Sequence, residues 1–238
     1  MADKAFFDAV ARYNEAYWWL RAALTLACIW LVVDLARKAP WAEAGLKFVL
    51  ALSCIVIGTV ASNVFSPRTF PPAMSEEFRI WAPLTMKCIF LGAGAAGLID
   101  VMIDSTRLRL PRGGWRLAAV IAGCILGLGF PAYELVLGHI YPRAQAFGTS
   151  PAPLVLVLVL LLGASAPTRI AGGVWFWLVA LAGIAIGVVA PIFGLPHGQV
   201  IVGIATALGL AMRLRPGPTE AAPATPDAAK ADQAETAT

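Results

Sequence analysis

The fold class predicted is all-α: a polytopic transmembrane bundle of about seven helices, with the N-terminus outside and the C-terminus in the cytoplasm. Three observations predict it. Of the 238 residues, 59% are hydrophobic and 13% charged, against roughly 45–50% and about 25% in soluble domains. Apolar stretches of about 20 residues, long enough to cross a bilayer at ~1.5 Å per residue, recur along the chain. The basic residues gather in the short breaks between those stretches. Eighteen Lys and Arg with 14 Asp and Glu are too few to coat a water-soluble protein of this size.

The N-terminal segment, 1–16, mixes Asp3, Lys4, Asp8, Arg12 and Glu15, which argues against a cleavable signal peptide. Phe6, Phe7, Val10 and Tyr13 recur at helical spacing, as in a short helix lying at the interface. A frayed terminus is the alternative. The bundle, 17–212, divides into seven apolar segments. Four are even: Tyr17–Leu35, Leu46–Phe65, Trp81–Ile103 and Leu117–Leu137. A short fifth, Ala152–Ala166, spans or re-enters; Ile170–Ala190 is ample, and Gln199–Met212 is again short. The remainder, 213–238, turns to Pro, Ala, Thr and scattered charge, the composition of a disordered cytoplasmic tail.

Lys and Arg favour cytoplasmic loops. With seven crossings, the C-terminal side carries Arg37, Lys38, Lys47, Arg107, Arg109, Arg112, Arg116, Arg169, Arg213 and Arg215. The opposite side carries Lys4, Arg12, Arg21, Arg68, Arg79 and Arg143. That ten-to-six split sets the orientation, and a basic protein with charges so distributed is no nucleic-acid binder. Its partner is the lipid bilayer, with a membrane-protein partner or a second copy left open. Cys28, Cys54, Cys88 and Cys124 fall one to a segment without paired spacing, so they read as reduced packing residues rather than metal or redox ligands. No metal, cofactor, nucleotide loop or nucleophile with its base is legible, which leaves an intramembrane enzyme the least supported class.

In lipid, small residues let helices approach closely. Gly123 with Gly127, Gly183 with Gly187, Ala205 with Gly209, and the run Gly92–Gly97 are the candidate packing stripes. Against this apolar ground a few polar groups ask for an explanation, since an ionisable side chain at mid-bilayer costs about 2.5–3.5 kcal/mol. Lys87 lies five residues, or ~7.5 Å, outward of Gly92, and Glu134 eight residues, or ~12 Å, outward of Leu126. Antiparallel neighbours would therefore place them at similar depth. Glu134 shares a face with Gly123 and Gly127, and Lys87 with Gly94. Pro131 frees the Gly127 carbonyl one turn back and kinks the helix. Two readings stay open: a structural Lys87–Glu134 ion pair, or a substrate or proton site. Asn63, Tyr133, His139, Tyr141 and Arg143 fall on the same outer side and complete the candidate binding set. His197 reads as a turn residue. Asp34 with Lys38 and Asp104 with Arg107 have the spacing of helix-end ion pairs, and Asp100 marks the cytoplasmic end.

Tyr13, Asn14, Glu15 and Ala16 stand ahead of Trp18 and Trp19. Further on, Gly129, Phe130, Pro131 and Tyr133 lead through His139, Tyr141, Pro142, Phe147, Gly148, Pro151 and Pro153 into a Leu-rich helix. In these two stretches, and more weakly in spacing to about Leu208, the chain resembles an uncharacterised bacterial multi-pass inner-membrane family defined only as a domain of unknown function. The resemblance implies a compact inner-membrane bundle with a Pro-rich outer loop entering the fifth helix, and no activity. Where that family usually has Pro-Cys-Pro-Thr-Thr, this chain has Pro151, Ala152, Pro153, Leu154 and Val155, so thiol or hydroxyl chemistry is not implied there. Two functions remain: a small-solute or ion transporter, proton-linked, with its polar site in the outer half; or a non-transporting scaffold, sensor or assembly partner of another membrane complex. The substrate is not legible.

Overall fold

The computed structural model describes residues 2–64, 75–108, 110–111, 114–136, 138, 145, 147, 150–167, 170–189 and 199–215. Helix α1, Ala2–Ala16, runs with one intervening residue into α2, Trp18–Ala36. Val10 and Tyr13 are buried, and α1 lies against α2 and α3 (Ala42–Val64), so the terminus is a packed helix rather than a frayed one. Burial pushes the Tyr13 hydroxyl up to about 12, with Tyr17 adding to the rise.

Helix α4, Glu76–Ile103, starts earlier than its apolar run suggests. The Ser75 hydroxyl accepts from the Phe78 amide at 3.2 Å, and Glu76 and Glu77 occupy the first turn, where carboxylates favour the helix dipole. A two-residue strand, β1 (Thr106–Arg107), leads to α5, Gly114–Leu128. Beyond Gly129 the chain turns through 71° into α6, Phe130–Val136. The break expected around Pro131 is present, with Pro131 at the second position of the new helix, where its missing N–H costs nothing.

Helix α7, Pro151–Ala164, returns to β2, Ala166–Pro167, which pairs antiparallel with β1. Then follow α8, Ile170–Ile184, a π-helical turn over Ala185–Val189, and α9, Val200–Leu214. The last helix runs two residues into the expected tail. Residues 216–238, and with them most of that tail, lie outside the described residues, as does His197.

Among the described residues four helical stretches are long and apolar enough to cross a membrane: Trp18–Ala36, Ala42–Thr59, Glu76–Ile103 and Ile170–Gly187. The bent pair α5–α6 makes a fifth if counted as one span, and α7 and α9 are shorter apolar helices. The seven segments thus each correspond to helix, but not to seven full-length spans.

Helix α7 organises the bundle. Every residue from Pro151 to Gly163 is buried, because α9, α5 and α8 pack around it with a smaller contact from α3. A helix apolar on all sides has no face to offer water and is driven to the centre. Pro151 and Pro153 remove two of the N–H groups that a buried helix start would otherwise leave unsatisfied. The predicted Gly127, Gly209 and Gly97, together with Gly163, which no predicted stripe included, make the contacts close. A Cβ on Gly127 would stand 2.9 Å from the Pro153 carbonyl oxygen, and one on Gly163 would stand 2.6 Å from the Gly209 carbonyl oxygen. On the other side α4 lies between α3 and α8. There a Cβ on Gly97 would meet Ala51 at 2.8 Å and the Trp175 ring at 2.9 Å. Of the cysteines, Cys28, Cys54 and Cys124 are buried packing residues, whereas Cys88 is exposed on the surface of α4.

Candidate functional site

The bundle carries buried charge at both ends. At the end where α3 begins and α4 stops, Glu43 and Lys47 lie four residues apart on α3, and Asp100 and Asp104 four apart at the close of α4. Spacing of four places each pair on one helix face, and the tight α3–α4 packing brings the two faces together. Lys47, 1% exposed, is the hub. Its Nζ stands 2.8 Å from Asp104 Oδ1, 3.3 Å from Glu43 Oε1 and 3.4 Å from Asp100 Oδ2.

Each carboxylate is also held from elsewhere. Ser105 donates its hydroxyl to Asp100 Oδ1. The Leu108 amide donates to Glu43 Oε1 at 2.7 Å, and Arg107 lies 3.6 Å from Asp104 Oδ2. Asp104 sits at the end of α4 with φ +47°, a left-handed conformation that Asp tolerates better than most residues. The Lys47 ammonium, hydrogen-bonded to it, holds the Asp104 carboxyl below the usual carboxylate range. Three carboxylates against Lys47 and Arg107 leave the cluster one negative charge in excess.

The opposite end holds Glu134 in α6, 0% exposed. Gln145, from the segment ahead of α7 and 1% exposed, donates its Nε2 to Glu134 Oε1 at 3.2 Å. The Gln145 Oε1 is buried with no hydrogen-bond partner. The rings of Phe130 and Tyr133 meet at 5.5 Å on the same short helix, tilted by 60°. The two ends are separated by the length of α7, about 21 Å for 14 residues.

The expected residues divide between these observations. Glu134 is buried as its face requires, and Tyr133 is half-buried beside it. Lys87 is half-buried on α4, but among the described residues no ion pair joins it to Glu134. The reason is topological: α4 packs on α3 and α8, while α5 packs on α7. Successive segments were expected to be spatial neighbours, and here the central helix takes that place. Asn63 belongs to the last turn of α3, its side chain outside the described residues; His139, Tyr141 and Arg143 also lie outside them. At the other end Asp104 pairs with Arg107 as its spacing implies, but Asp34 pairs with Arg37, at 3.9 Å, rather than with Lys38.

Lys47, Glu43, Ser105 and Gln145 were not singled out by the sequence reading, which counted Lys47 only as a topology charge. The matched spacing of four in Glu43–Lys47 and Asp100–Asp104 was the available signal. Among the described residues no group of three His, Cys, Asp or Glu side chains is arranged to hold a metal ion. Comparison of the chain with protein-family models, with curated proteins and with solved structures gives no match.

Proposed function

We propose that the chain is a multi-pass protein of a bacterial cytoplasmic membrane that works as a non-transporting scaffold or assembly partner of another membrane component. The observation that carries this reading is α7. Its apolar side chains, buried from Pro151 to Gly163, fill the axis of the bundle between the two charged ends. A carrier needs polar groups along the route its cargo takes, and here the axis between Glu134 and Lys47 is Leu, Val and Ala. The Lys47 cluster serves as a clamp that fixes α3 against α4. The basic residues described at the Lys47 end, Arg37, Lys38, Lys47, Arg107, Arg116, Arg213 and Arg215, support placing that end in the cytoplasm.

The test is reconstitution of the purified protein in sealed vesicles loaded with a pH-sensitive dye. The scaffold reading expects proton and small-solute leakage equal to that of protein-free vesicles. Flux that Glu134→Gln abolishes would overturn it in favour of a proton-linked carrier. One observation favours that second reading, the buried Gln145 Oε1 beside Glu134, an acceptor placed to receive a proton-bearing group.

A further inference from the structure

The cytoplasmic end of the bundle is electrostatically divided. On the α3–α4 side, Lys47 and Arg107 are matched by Glu43, Asp100 and Asp104. On the α5–α9 side the described charges are all guanidinium: Arg116 in the first turn of α5, Arg213 in the last turn of α9, and Arg215 at its C-cap. None of the three forms an ion pair among the described residues.

Their hydrogen bonds orient them without neutralising them. Arg116 donates from Nη2 to the Arg215 carbonyl, and Arg213 donates from Nη1 to the Ser165 carbonyl at 3.1 Å. A guanidinium has five N–H donors, so most remain for a ligand. The Arg116 guanidinium also lies 5.7 Å from the ring of Trp115, which is 51% exposed. Further along α9, on the helix face that Arg215 occupies, the exposed side chains become aliphatic, at Leu208 and Ile204. From rim to middle the surface therefore runs guanidinium, indole, hydrocarbon.

We propose that Arg116 and Arg215, with Trp115, bind the phosphodiester headgroup of an anionic phospholipid whose acyl chains lie along Leu208 and Ile204 of α9. The charge of the corner is complementary to that headgroup, and basic corners between helices at the cytoplasmic face are where anionic lipids are recognised. Guanidinium is the group best suited to a phosphate, which it engages through two parallel N–H bonds. Indole rings favour the same headgroup depth. The proposal rests on the chain being embedded in a bilayer and not on its being a scaffold, so flux in the vesicle assay would leave it standing.

The experiment follows thermal unfolding of the full chain in a non-ionic detergent at low salt, with added phosphatidylglycerol, phosphatidylcholine or inorganic phosphate. Saturating phosphatidylglycerol is expected to raise the midpoint by roughly 5 °C, with the other two additives giving no comparable rise. Arg116→Gln with Arg215→Gln should lose at least half of the shift. Arg37→Gln, which removes an exposed charge at the end of α2, should keep it. Equal shifts with phosphatidylcholine, or a full shift in the double variant, would overturn the proposal. A rise with inorganic phosphate equal to that with phosphatidylglycerol would assign the corner to a free anion and overturn the lipid source. Should the double variant fail to fold, native mass spectrometry of the unaltered chain decides: higher occupancy by phosphatidylglycerol than by phosphatidylcholine at equal ratio supports the site, and equal occupancy refutes it.

Discussion

Asp100 and Glu134 are both carboxylates with no exposed surface, placed at opposite ends of the same bundle and accommodated in different ways. Asp100 is met by an ammonium group and a hydroxyl, from α3 and from the turn after α4. Glu134 accepts from a neutral amide carried by the segment that leads into α7. Removing an ion from water costs several kcal/mol even after relaxation, and the cost is recovered only with good geometry and further hydrogen bonds. The Lys47 cluster supplies a shared cation and hydrogen bonds to Asp104 and to Asp100 Oδ1, while Asp100 Oδ2 is left with the ion pair alone, and this ties α3 and α4 into one register. The Glu134–Gln145 bond ties a connection to a short helix. One end is therefore a clamp between long helices and the other a latch on a loop, and perturbing the two should have unequal consequences.

The largest effect is expected at Lys47. Lys47→Met leaves Glu43, Asp100 and Asp104 facing one another without their shared cation, and breaking a buried pair from one side costs about 3–5 kcal/mol. Thermal unfolding in detergent should show a large loss of stability or little folded protein. Adding Asp100→Leu removes the most deeply buried orphaned charge and should recover part of it. If Lys47→Met unfolds like the unaltered chain, the clamp has no energetic content and the contrast between the two ends disappears.

Next comes the axis joining the two ends. Gly163→Ala would bring a methyl group to within 2.6 Å of a carbonyl oxygen and 2.8 Å of a Cα, both in Gly209. Backbone cannot swing aside as a side chain does, so α7 and α9 must separate, at about 1–3 kcal/mol. The same unfolding measurement reads it. A neutral or stabilising result would mean that α7 is loosely seated and does not space the ends rigidly.

Much of this was legible in the sequence, and the failures have a common physical origin. Each of the seven apolar segments corresponds to helix, the break near Pro131 is real, and the Gly123, Gly127 and Gly209 stripes are close-contact surfaces. All of these follow from local composition and spacing. Which helices touch does not. Lys87 and Glu134 were matched by depth on the assumption that consecutive segments pack together, whereas the wholly apolar α7 inserts itself beside α5 and leaves α4 to α3 and α8. The uniform apolarity of residues 154–162 was the clue to its central position, and it was read only as a question of span length. Lys47 was hidden differently: a lysine six residues into a helix after a basic loop looks like a topology charge until the Asp100–Asp104 face is set opposite it.

A smaller effect is expected at the Glu134 end. Glu134→Gln preserves shape and an oxygen that accepts from Gln145 Nε2. Because the substitution keeps the Gln145 contact and strips no shared cation from several carboxylates, the loss should be smaller than that of Lys47→Met. A loss as large as that of Lys47→Met would show that the Glu134 charge is itself structural and that the two ends are alike.

The smallest effect sharpens the clamp itself, through pH. Lys47 lowers the Asp104 carboxyl below its usual 3.8. Because the folded value is depressed, the stabilisation is fully present above 3.8 and is lost as pH falls through the lower folded value. The side chain is 58% exposed, so solvent and salt screen much of the interaction. Acid unfolding of the unaltered chain should therefore show a modest loss of stability over that window, and Asp104→Asn should flatten it while adding a small, pH-independent loss above it. High salt should shrink the difference between the two proteins. An unchanged acid profile in Asp104→Asn would mean that the exposed carboxylate contributes nothing and that the clamp is held by Lys47, Glu43 and the fully buried Asp100.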